Sequence, residues 1–153
     1  MGTYSNFLRA RLKNPFPWQI ALTVYLAGLA LIGFWPTPVD RPVHGTITTV
    51  LKYLHTHGVP GWFDYHFVEA SANIVMFVPL GILAAMAMPT KTWWHLTGIG
   101  LLVSLCMEFG QLLFLSARFS SPVDVVTNVS GAVIGIVAAR VLARNGSRRL
   151  AGA

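Results

Sequence analysis

Apolar residues gather along this chain in four long blocks, Trp18–Trp35, Ser71–Met88, Trp93–Leu115 and Val123–Leu142. Each is close to the ~20 residues that a helix needs to cross the hydrocarbon core of a bilayer. None alternates with the two-residue period of a membrane barrel strand. The pattern predicts an all-α integral membrane protein, a bundle of four transmembrane helices. Between the first two blocks, Ile47, Val50, Leu51 and Leu54 recur at i, i+3, i+4 and i+7. That spacing predicts one short helix on the outer side, either lying in the interface or capping the bundle. "HGVPGW" closes it with a turn, and "FDYHF" brings aromatics suited to the headgroup belt. The other links, "PTKT" and "SARFSSP", are short, so consecutive spans should be antiparallel neighbours. Pro122 suits a first helical turn, where its missing N–H costs nothing. The organisation is then a basic segment over residues 1–17, a four-helix domain over 18–143 and a basic tail over 144–153.

Composition agrees with the pattern. Of 153 residues, 54% are hydrophobic and 10% charged, against about a quarter charged in soluble domains. The first block follows basic residues, but no small-x-small site precedes "GFWPTPVD", so it reads as an uncleaved helix. A single cysteine, Cys106, excludes an internal disulfide and is expected to serve as packing.

Charge adds direction. The net +6 comes from eleven basic residues. Most sit before the first block, at Lys91, or after Arg140, and four crossings put those places on one side. An excess of Lys and Arg marks that side as cytoplasmic, with both termini inside. No folded basic module exists to hold nucleic acid. The acids lie the other way: Asp40 and Asp64 in the first connection, Glu69 at the start of the second span, and Asp124 at the start of the fourth. Glu108 falls within the third span, about 10 Å below its outer end.

Projected at about 100° per residue, these spans carry polar stripes. Glu69 and Asn73 share a face of the second. Gly100, Ser104, Glu108 and Gln111 fall within about 80° on the third, and Asp124, Asn128, Gly131 and Gly135 within about 60° on the fourth. A central Asp facing lipid costs ~3 kcal/mol on insertion scales, so the stripes should face one another or a hydrated cavity. Arg118, in the outer loop, is placed to bridge the carboxylates. Gly131 and Gly135 form a small-residue face for close helix packing and offer a route to oligomers. Pro79 should free the carbonyl near Val75 and kink the second span. The plainer reading of the amides and Ser104 is interhelical glue, and of the glycines, packing. "DYHFVE" brings Asp64, His66 and Glu69 close, but without HExxH or a cysteine pair no metal or cofactor is expected.

"NIVMFVPLGIL", "SLCMEFGQ", an outer arginine and "PVDVVTNVSGAVIG" together resemble the VanZ-like family of bacterial membrane proteins. The pattern falls on Asn73, Phe77, Pro79, Leu80 and Gly81, then Glu108, Gln111, Arg118, Asp124, Asn128, Gly131 and Gly135. The resemblance implies a multi-pass protein of the bacterial inner membrane, with antibiotic resistance, specifically low-level teicoplanin tolerance, as the trait behind the family's name. Joined to the stripes, it suggests a binding cavity of Glu69, Asn73, Glu108, Gln111, Arg118, Asp124 and Asn128 in the outer half. Its ligand would be a polar or cationic group of a membrane lipid or a lipid-linked cell-wall intermediate of the envelope. The alternative is a membrane-embedded enzyme using Glu108 and Asp124 as acid and base, although no nucleophile–base pair accompanies them. Four helices and no inverted repeat weigh against a transporter, and a wholly structural role for the stripes stays open.

Overall fold

A computed structural model describes residues 14–35, 42–115 and 121–151, with side chains through residue 145. It contains five helices and, among the described residues, no strand. They are α1 (Phe16–Gly33), α2 (His44–Thr56), α3 (Tyr65–Ala87), α4 (Trp93–Phe114) and α5 (Pro122–Ala151). All but α2 are long and apolar enough to cross a membrane, so the chain is a multi-pass membrane protein. Apolar side chains cover the outside as well as the core: Leu113 and Leu142 are 73% and 70% exposed. A helix that is hydrophobic all round belongs in lipid or in a deep interior.

Two helix starts differ instructively from the apolar blocks. α3 begins well before Ser71, because the carboxylate of Asp64 accepts the Phe67 N–H at 2.9 Å and caps the first turn. Glu69 therefore sits in the second turn rather than opening the helix. α5 opens on Pro122, as its chemistry predicts, but continues through the basic tail to Ala151.

The spans run antiparallel, as four contacts show. At one end Gln111 Nε2 reaches the Gly33 carbonyl, and Asn73 reaches Asp124. At the other, Gln19 Nε2 lies 3.5 Å from the Ala87 carbonyl and Arg140 reaches that of Lys91. We call these the acidic and basic ends.

α3 and α5 form the central pair, with α1 against α3 and α4 against α5. The short link between α3 and α4 does not make them the closest neighbours. Glycine decides otherwise. A Cβ on Gly131 or Gly135 would overlap the carbonyl oxygens of Ile74 and Val78, and one on Gly81 that of Ala132. The two backbones touch here with no side chain between them, the close approach that small residues permit in membranes. The Gly131/Gly135 face expected to offer a route to oligomers is thus occupied within the chain. Phe77, Leu80, Leu29, Met107 and Ala132 form the core beside this crossing.

α3 runs as one helix through Pro79. The Tyr25 hydroxyl of α1 donates to the carbonyl of Met76, within the turn that proline disturbs. This ties α1 to α3 beside the proline, one residue on from the Val75 carbonyl whose helical donor Pro79 lacks. α2 forms where its spacing predicts, burying Leu51 and leaving Val50 and Tyr53 exposed. It rests on the approach to α3, with the His44 and Tyr65 rings 4.6 Å apart and His55 Nε2 3.1 Å from the Phe63 carbonyl. Cys106, expected to serve as packing, is exposed.

Candidate functional site at the acidic end

The first turn of α5 organises the site. Its N–H groups lack intrahelical partners and its dipole favours negative charge, so Asp124 is well placed there. Asp124 Oδ1 accepts from Asn73 Nδ2 at 2.9 Å, which ties α5 to α3. Just ahead, Ser121 accepts the Val123 N–H on its side chain, while its own N–H donates to Glu108 Oε2 at 3.1 Å. The Glu108 carboxylate, 7% exposed, therefore fixes the point where the chain turns into α5. A buried carboxylate is tolerable only with such donors around it.

One turn deeper, Asn128 Nδ2 donates to Ser104 Oγ at 3.1 Å and joins α5 to α4. These residues are 4% and 0% exposed. Asn128 Oδ1 is buried and finds no hydrogen-bond partner among the described residues. An acceptor left this way costs about 1–3 kcal/mol. The amide could be turned to exchange its oxygen and nitrogen, but one of its two ends would still lack a partner.

Asn73, Glu108, Asp124 and Asn128 thus meet at the acidic end, each from a face that the stripes predict. Two other expected members stand apart. Gln111 is buried, yet its Nε2 donates to the Gly33 carbonyl at 3.0 Å and caps the C-terminal end of α1. Gly33 is buried, where a bare carbonyl is costly, and Gln111 supplies the donor. Glu69 lies at the rim: half exposed, 3.9 Å from His66, but within electrostatic reach of Asp124, as is Glu108. Arg118 lies outside the described residues. Phe77, Leu80 and Gly81 are core residues, and Pro79 is half-buried.

Three contributors were not among the expected site residues. Ser104 lies on the α4 stripe but is short enough to pass as filler. Ser121 carries a signal in "SSP", a helix-start serine just before proline. The Gly33 carbonyl is invisible to side-chain reasoning.

Chemically, two carboxylates share one low-dielectric neighbourhood with two carboxamides. Like charges within electrostatic reach of one another favour a cation or a strong hydrogen-bond donor nearby. The amides can turn to present either an acceptor or a donor.

The curated proteins and the solved structures yield no match to this chain. The VanZ/LLP1 family model matches residues 22–143, from within α1 through the membrane-spanning part of α5. With the second and third spans, most of the first and fourth, and the whole acidic cluster inside the matched region, the chain belongs to the VanZ/LLP1 family.

Proposed function

We propose that the acidic end is a ligand site on the non-cytoplasmic side of a bacterial cell membrane. Its ligand is a cationic or donor-rich group of an envelope lipid or lipid-linked cell-wall intermediate. The observation that carries this reading is the meeting of Asn73, Glu108, Asp124 and Asn128 from three spans, with the Asn128 oxygen buried and unpartnered. Structural glue alone would be expected to satisfy that acceptor. The sidedness rests on the basic residues at the opposite end, Lys91, Arg140 and Arg144, by the positive-inside rule. Arg118 enters from sequence alone, as a guanidinium able to hold a phosphate. Holding a cell-wall intermediate in this way would alter the access of glycopeptides such as teicoplanin to their target, which fits the trait that named the family.

Retention of a lipid-linked cell-wall precursor by the purified chain tests the proposal. Glu108→Gln keeps an acceptor for the Ser121 N–H but removes the charge. The variant should elute like wild type and bind the precursor about tenfold more weakly, the loss of one charge-assisted hydrogen bond. Equal retention by both proteins overturns the site. Chemical turnover of the precursor, abolished by the same variant, would make the site an enzyme's instead.

A further inference from the structure

A second feature lies at the basic end, far from the acidic cluster. A groove of about 330 Å³ runs between α4 and α5. Trp93 and Thr97 form its α4 wall. Val133, Val137 and Val141 form a ridge along α5, and Arg140 and Arg144, toward the C-terminal end of that helix, complete the lining. We infer that this groove holds an anionic phospholipid, with the phosphate at the two arginines and one acyl chain along the valine ridge.

Four observations favour that occupant. First, the polarity changes along the groove in the order a lipid requires. From Val133 to Arg144 is about 16 Å of helix, apolar for most of its length and cationic at the end. Second, Arg140 is held in place. It donates through Nη2 to the Lys91 carbonyl at 2.7 Å, which leaves other guanidinium donors for a phosphate. Arg144 is exposed and has no protein partner among the described residues. Third, the Thr97 hydroxyl is buried in the groove wall with no hydrogen-bond partner among the described residues. Thr97 lines the groove, so turning its side chain toward the opening would offer a donor to a phosphate or ester oxygen. Fourth, Trp93 and Trp94 stack with ring centroids 3.5 Å apart, both exposed, as an aromatic belt at headgroup depth. Basic pockets between membrane helices bind anionic headgroups by this combination of charge and apolar walls.

The test uses the full chain in detergent, with phosphatidylglycerol, phosphatidylcholine or inorganic phosphate added. Retained lipid is counted by native mass spectrometry, and the thermal unfolding midpoint is followed in parallel. Wild type should retain phosphatidylglycerol in preference to phosphatidylcholine and unfold at a higher temperature with it. Arg144→Gln, a change at an exposed side chain, should weaken phosphatidylglycerol binding about fivefold. Val137→Trp fills the groove without touching its charges and should weaken it as well. Inorganic phosphate alone should shift neither readout. Equal retention of the two lipids, or an unchanged preference in both variants, overturns the proposal. So does a midpoint shift from inorganic phosphate as large as the lipid's, which would make the site one for a free anion.

Discussion

The Asn128 amide donates to Ser104 and leaves its oxygen buried without a protein partner among the described residues. Replacing both partners of a buried hydrogen bond together by apolar groups of similar shape costs little, because no polar atom is left stranded. Asn128→Leu combined with Ser104→Ala is therefore expected to change stability by less than about 1 kcal/mol in thermal unfolding. The same double variant should lose precursor binding. A large loss of stability with binding intact would assign the pair to glue. Both residues were legible beforehand, because the stripes set their faces from helical periodicity alone. Gln111 was not. Its partner is the last carbonyl of α1, and where one helix ends against another depends on axial offset, which no side-chain pattern records. Tyr25 belongs to the same class. Its hydroxyl serves the Met76 carbonyl near Pro79, so Tyr25→Phe should cost about 1 kcal/mol in the same measurement.

Among the elements, α3 and α5 carry the architecture through three glycines. The spacing of Gly131 and Gly135 announced a close contact, but not whether its partner lay in this chain or another. Proximity in sequence suggested α4 as the main neighbour of α3, whereas backbone contact at Gly81, Gly131 and Gly135 selected α5. Gly131→Ala would press a methyl into the Ile74 carbonyl and force the helices apart. Overpacking of this kind costs about 1–3 kcal/mol, to be read as a lowered unfolding midpoint. Gly98 on α4 faces open space, so Gly98→Ala should leave the midpoint unchanged or slightly raised. Loss of both variants to a similar degree would mean that α3 and α5 are not packed backbone to backbone. Helix boundaries were read less well than helix existence. Apolar runs report where lipid is, while a polar cap such as Asp64 reports where the helix begins.

Across the whole molecule, charge separates into an acidic end with a buried polar cluster and a basic end with a groove between α4 and α5. The sequence carried that polarity plainly, since all the acids and most of the bases fall on opposite sides of the crossings. It did not carry the groove, which forms only when α4 and α5 are brought together. The polarity predicts sidedness. In a Cys106→Ala background, Thr90→Cys should react with an impermeant thiol reagent only from the cytoplasm, and Trp62→Cys only from outside. Reaction of both from one side would refute the four-crossing topology. The central claim, that three spans offer their polar residues to one ligand, is tested most directly by photo-crosslinking. A lipid-linked cell-wall precursor with a photoreactive group on its polar head would be activated in membranes holding the protein, and the adducts mapped by peptide mass spectrometry. Adducts in residues 65–77, 104–111 and 121–128, all suppressed by unlabelled precursor, are the predicted result. Adducts confined to α1, or indifferent to the competitor, would contradict it.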